Sequence, residues 1–156
     1  MDNFQVYKDI EARTGGEIYI GVAGPVRTGK STFIKRFMEL MVLPKLPEGH
    51  LKAIARDELP QSAAGKTIMT TEPKFIPKEA AEIALEDGIT ARVRLVDCVG
   101  FMVEGAAGHE ENGEERLVKT PWYDHEIPFT QAAEIGTRKV IRDHSTICLL
   151  YTSDAA

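Results

Sequence analysis

The stretch GVAGPVRTGKST, residues 21–32, constrains this chain more than any other. Gly24 through Ser31 fits the pattern G-x-x-x-x-G-K-[ST] in full. Such a turn works only if its backbone N–H groups converge on one point, and glycines make that convergence sterically possible. It also needs a strand to lead in and a helix to lead out, because the positive end of the helix must face the same point. Both are legible. EIYIGVA, 17–23, is a short β-rich apolar run, read as a buried strand. STFIKRFMELMVL, 31–43, places Phe33, Ile34, Phe37, Met38, Met41 and Val42 on one broad helical face, and Pro44 and Pro47 end that helix. The pattern predicts a phosphate site in which Lys30 reaches the β and γ phosphates and the Ser31 hydroxyl binds Mg²⁺. Gly24, Arg27, Thr28, Gly29 and Thr32 complete the loop around the phosphates.

A second motif follows on the next hydrophobic strand. AAEIALE (80–86), Asp87-Gly88 and ITARVRLVDCVG (89–100) read as a β-hairpin, with Asp-Gly as a two-residue turn that favours positive φ. The second strand runs into Asp97-Cys98-Val99-Gly100. A carboxylate at that strand end faces the metal through water, and the Gly100 amide meets the γ-phosphate. Between the two motifs, GKTIMTTEP (65–73) offers Thr67, Thr70 and Thr71 as a further Mg²⁺ contact and γ-phosphate sensor, with Thr71 favoured and Thr70 second. The order is loop, threonine, D-x-x-G, with an antiparallel hairpin before the last. The expected fold is therefore an α/β P-loop NTPase sandwich of the translation-factor GTPase type: a mostly parallel sheet with one antiparallel hairpin.

Two residues depart from the commonest form of such sites. Phe101 follows Gly100, where Ras-like proteins carry the glutamine that orients water. Arg27 stands at the third variable loop position, where some GTPases place an asparagine that holds a potassium ion. A guanidinium there supplies that charge in cis, or else it faces solvent.

Composition narrows the partners. The chain has 156 residues, and 19 Lys and Arg against 24 Asp and Glu leave a formal charge of −5. That balance argues against nucleic acid, whose phosphates are bound by an excess of Lys and Arg. No apolar run is long enough to span a membrane, and MDNFQVYKDIEARTGG lacks the basic and apolar regions of a secretory signal. Cys98 and Cys148 form no spacing pattern, which fits a reducing, cytoplasmic setting. NFQVYKDIEART reads as a short helix stopped by TGG, and HLKAIARDEL as another short helix. Residues 101–128 read as a solvated loop. PFTQAAEIGTRKVIRDHS, 128–145, reads as an amphipathic helix with Ala132, Ile135, Val140 and Ile141 inward, after which STICLL begins another apolar run.

The strings DIEARTGGEIYIGVAGPVRTGKSTFIKRFMELMVLP, DELPQSAAGKTIMTTEPKFIP, RLVDCVGF, TPWYDHEIPF and AAEIGTRKVI carry a closer resemblance. Together they are similar to the N-terminal part of the stage IV sporulation protein A family of endospore-forming Firmicutes. The resemblance implies an ATPase that uses ATP and Mg²⁺ and self-assembles, as a homopolymer, on the forespore surface in the mother-cell cytoplasm. There it forms the base layer of the spore coat, beside other coat or membrane-anchoring proteins. It also implies roles in nucleotide binding and hydrolysis for Lys30, Asp97, Thr70 and Thr71. After HSTI the family continues into a different strand and turn, so residues 1–147 are read as an incomplete N-terminal P-loop NTPase domain and 148–156 as a non-native tail. The competing readings are a regulatory GTPase of the translation-factor class and a nucleotide-binding scaffold without turnover. The region that would separate ATP from GTP, an N-K-x-D motif, does not occur in the sequence. Trp122 and Tyr123 read as local packing, and His50, His109, His125 and His144 show no metal-ligand spacing.

Overall fold

A computed structural model describes residue 12 and residues 14–60, 72–84, 90–103, 110–111 and 113–151. Strand β1 (Glu17–Ala23) has the bounds its apolar pattern predicts. The chain reaches it through Gly15 and Gly16, both at positive φ; the helix read over NFQVYKDIEART lies mostly outside the described residues. After the glycine loop comes helix α1 (Lys30–Phe37), then a wide π-type turn at Met38–Val42 and a tight 3₁₀ turn at Leu43–Lys45. Helix α2 is His50–Asp57. Strands β2 (Lys74–Ala84) and β3 (Thr90–Asp97) follow. Four two-residue strands come next: β4 (Glu110–Glu111), β5 (Glu114–Glu115), β6 (Leu117–Val118) and β7 (Ile127–Pro128). Helix α3 (Phe129–Lys139), a second π-type turn (Val140–His144) and strand β8 (Ile147–Leu150) complete the described chain.

The main sheet has the order β2-β3-β1-β8. β1 runs parallel to β3, with Glu17 opposite Arg92 and Val22 opposite Asp97, and parallel to β8, with Ile20 opposite Ile147. β2 runs antiparallel to β3, as the hairpin reading expects, although its turn at 85–89 lies outside the described residues. The pairing starts earlier than the pattern suggests, at Lys74 opposite Asp97. Register slips between Ile76 and Ala81. Pro77 sits in that slip, and a residue without an N–H cannot donate to the ladder.

Alternation along the strands sorts side chains to two faces. Val22, Ile76 and Leu95 pack with Ile34, Met38 and Val42 of α1 and its π-type turn, all 0–1% exposed. Tyr19, Val96 and Cys98 take the other face with Val140 and Phe75. There the backbone of β1 runs so close to the second π-type turn that a Cβ on Gly21 would strike the Ser145 hydroxyl. A larger residue there would force the Ser145 side chain to move.

Three local expectations are corrected. The helix expected over 31–43 is α-helical only to Phe37, and the wider turn beyond it leaves Met41 exposed while Met38 and Val42 stay buried. Ile141 faces solvent for the same reason, because the chain widens at Val140. The segment read as a loop over 101–128 contains two small antiparallel ladders, β4–β5 and β6–β7.

Leu95 is completely buried at the centre of the sheet, whereas Leu40 is 67% exposed. Leu95→Ala should therefore cost about 2–5 kcal/mol of stability through lost transfer energy and a cavity. Leu40→Ala should change it by less than about 0.5 kcal/mol. Denaturant melts of the two variants measure the difference.

Candidate nucleotide site

The candidate site forms where β1 and β3 end side by side. Because Val22 lies opposite Asp97, the glycine loop leaving β1 and the D-x-x-G segment leaving β3 emerge as neighbours. The loop's backbone is bent at Gly24 (φ 152°), Arg27 (φ 60°) and Gly29 (φ 88°). Gly29 caps α1 without a side chain, so no side-chain group competes for the amides of the first helical turn. The loop is closed from within: Thr28 Oγ1 donates to the Pro25 carbonyl at 2.8 Å.

Lys30 and Asp97, distant in sequence, are brought together here. Lys30 is only 5% exposed, and its Nζ donates to the Pro25 carbonyl at 2.5 Å. Burial holds its pKa below the ordinary lysine value, and the neighbouring Cys98 and the Asp97 carboxylate oppose that shift; burial also raises the Cys98 thiol, which stays neutral at ordinary pH. Asp97 is the mirror case. Burial pushes its carboxyl up to about 6, against the pull of Lys30. Its Oδ1 is buried and has no hydrogen-bond partner among the described residues.

Gly100 is held between these groups at φ 87°. A Cβ there would run into the Gly24 carbonyl and lie 2.6 Å from Lys30 Nζ. The glycine of the D-x-x-G motif is thus needed for the approach of Lys30 as well as for its backbone angle. Ser31 and Thr32 stand exposed on the first turn of α1, Thr28 is half-buried and Arg27 is exposed. The structure gathers Gly24, Arg27, Thr28, Gly29, Lys30, Ser31, Thr32, Asp97 and Gly100 around one loop. Thr67, Thr70 and Thr71 lie outside the described residues.

Two contributors carry no signal in the motif. Phe101 joins the loop through its backbone, in a parallel bridge with Pro25. Its N–H donates to the Gly24 carbonyl at 3.2 Å, and its carbonyl accepts from the Val26 N–H at 3.0 Å. A backbone role of this kind is invisible in residue identity. Thr137, on the buried face of α3, places Oγ1 3.7 Å from Cys98 Sγ, which lies 3.7 Å from the Val22 carbonyl. A polar residue on an apolar helix face was the available sign. A cavity of about 650 Å³ lies elsewhere, between α2 and β2, and no loop residue lines it.

A strand, glycine loop and helix beside an acidic strand end, within a mostly parallel sheet carrying an antiparallel pair, define an arrangement compatible with a phosphate-loop NTPase domain. Comparison with known proteins narrows that class. The family model described as Stage IV sporulation protein A, ATPase domain, matches residues 1–156, and the chain belongs to that family. It is 59% identical over 154 residues to the stage IV sporulation protein A of Bacillus subtilis (strain 168). The corresponding identities are 57% for the protein of Bacillus anthracis and 56% for that of Clostridioides difficile (strain 630). Each match covers 99% of this chain and 31% of the relative, so the chain spans about a third of the length of the curated relatives it matches. No solved structure gives a significant match. Among the described residues no helix is long and apolar enough to cross a membrane.

The raised pKa of Asp97 has a sign in stability. The folded protein binds this proton more tightly than the unfolded chain, so stability falls as pH rises from the ordinary 3.8 through about 6. Asp97→Asn should therefore stabilise the nucleotide-free protein by about 1–3 kcal/mol near neutral pH, with the gain vanishing below about pH 4. Thermal melts of both proteins across that range measure it.

Proposed function

We propose that this chain is the nucleotide-hydrolysing part of a sporulation morphogenetic protein, and that its substrate is ATP. The observation that carries the reading is the convergence of the buried Lys30 ammonium, the Asp97 carboxylate and the Gly100 backbone on one glycine loop at a helix start. Lys30 neutralises the β and γ phosphates, and the loop amides with Gly24, Thr28, Gly29, Ser31 and Thr32 cradle them. Mg²⁺ fits the donors present, which are hard oxygens: the Ser31 hydroxyl, the Asp97 carboxylate with its orphaned Oδ1, and in our assignment Thr71. When bound, the ion neutralises charge on the phosphate oxygens. Thr70 stands beside Thr71 as a second sensor of the γ-phosphate. The position of the antiparallel pair, with β2 against β3 and β3 against β1, supports a domain of the translation-factor GTPase type.

The choice of ATP over GTP and the cellular role come from the family: its model is described as an ATPase domain, and its relatives are named stage IV sporulation proteins. On this reading the complete protein polymerises with itself on the forespore surface, in the mother-cell cytoplasm, as the base of the spore coat, together with other coat or membrane-anchoring proteins. Hydrolysis drives that assembly.

Lys30→Ala removes a charge-assisted hydrogen bond worth about 1.5–3 kcal/mol, so ATP affinity should fall by about tenfold or more. Equilibrium binding of labelled ATP, with GTP as competitor, tests this in the complete protein. Unchanged affinity would move the site elsewhere, and stronger competition by GTP than by ATP would favour a GTPase. Sedimentation with ATP, ADP and a non-hydrolysable analogue tests assembly. ATP should give the most pelleting, and equal pelleting in all three would leave a scaffold without a need for turnover.

A further inference from the structure

Among the described residues Arg27 is the non-glycine residue at positive φ, at 60°. An arginine gains nothing from that backbone, which glycine or asparagine adopts more readily. Its neighbours impose it. On one side the Val26 N–H is bonded to the Phe101 carbonyl at 3.0 Å, and on the other Thr28 Oγ1 is bonded to the Pro25 carbonyl at 2.8 Å. A strained position that keeps a long cationic side chain needs a reason beyond the turn itself.

The side chain is also uncommitted. Arg27 is exposed and makes no ion pair or hydrogen bond with any described residue. Other arginines are engaged: Arg36 with Glu39, Arg92 with Glu17, Arg138 with Glu134, and Arg94 over the rings of Tyr19 and Phe75. Arg27 is the sole charged residue among loop positions 24–29.

The site needs such a group. On the proposed reading Lys30, held by the Pro25 carbonyl beside Gly100, is committed to the β and γ phosphate oxygens and leaves the bridging oxygen to another group. Phe101 brings no polar side chain, and both its backbone groups are taken by the loop. In phosphoryl transfer to water, the oxygen of water bonds to the γ-phosphorus while the bond from that phosphorus to the β–γ bridging oxygen breaks. The electron pair stays on the bridging oxygen of the departing diphosphate, and a proton of the water leaves to solvent. Negative charge therefore grows on the bridging oxygen, and a planar guanidinium is suited to meet it with parallel N–H donors.

We propose that Arg27 is a catalytic residue, an arginine supplied in cis by the phosphate loop, whose guanidinium stabilises the charge developing on the β–γ bridging oxygen. The inference rests on the nucleotide-hydrolysis reading. Because its action is confined to the transition state, it raises kcat with little effect on ground-state binding.

The test is ATP binding and turnover in the complete protein with Arg27→Gly and Arg27→Lys. Glycine accepts the positive φ, so Arg27→Gly removes the guanidinium without disturbing the loop. It should bind ATP within about threefold of wild type and lose about 1,000-fold or more in kcat, the scale of arginine contributions in this chemistry. Arg27→Lys keeps a point charge without the fork and should fall between the two. Arg27→Gly turning over within about threefold of wild type would overturn the proposal. So would affinity falling in step with kcat in both variants, which would make Arg27 a loop-shaping residue. Failure of the underlying reading looks different: Lys30→Ala would then leave wild-type ATP affinity unchanged.

Discussion

Burying one ammonium group sets the terms for the rest of this structure. Lys30 is drawn from water by the loop that precedes it and by the D-x-x-G segment beside it. An isolated buried cation is costly, so its neighbours must compensate. The Pro25 carbonyl accepts a hydrogen bond from its ammonium, and the negative charge of Asp97 offsets part of the desolvation. Asp97 is itself too buried to be a fully satisfied partner, and one of its oxygens has no bond among the described residues. The site thus holds a cation and a carboxylate, each shifted toward neutrality by burial. On the proposed reading, phosphates and Mg²⁺ would relieve both.

The sheet makes this arrangement possible. Lys30 and Asp97 meet because β1 and β3 are parallel and in a register that ends them together. Parallel strands ending on one side leave their following loops as neighbours, which is why open α/β sheets build ligand sites there. The Phe101 bridge to Pro25 extends β3's neighbour relation one step beyond the strands. It binds the segment after Gly100 to the loop by two backbone bonds. Behind it, Cys98 and Thr137 tie the same turn to α3.

Much of the fold was legible in the sequence, for identifiable reasons. The bounds of β1, the start of α1 and the hairpin partners followed from apolar pattern and from Gly, Pro and Asp-Gly signals, which act locally. Lys30, Ser31, Asp97 and Gly100 were named by the motif spacing, and the structure places them around one loop. Glycine at position 100 was anticipated for a phosphate contact, while the additional demand of the Lys30 amine emerged only from its position. The inward placement of Met41 and Ile141 failed because a helical wheel assumes one pitch, and both lie where the helix widens. The small ladders within 101–128 were hidden because two-residue strands carry no period.

What the sequence alone determined is the identity of the groups at the phosphate loop and the order in which strand, loop, helix and acidic strand end follow one another. These depend on near neighbours in the chain and on residue chemistry. What only the tertiary structure decided is which distant groups share a dielectric environment: Lys30 beside Asp97, Phe101's backbone on Pro25, Thr137 against Cys98, and Arg27 strained but without a partner among the described residues. Burial and backbone pairing between remote segments set those relations, and neither is a property of any residue taken by itself.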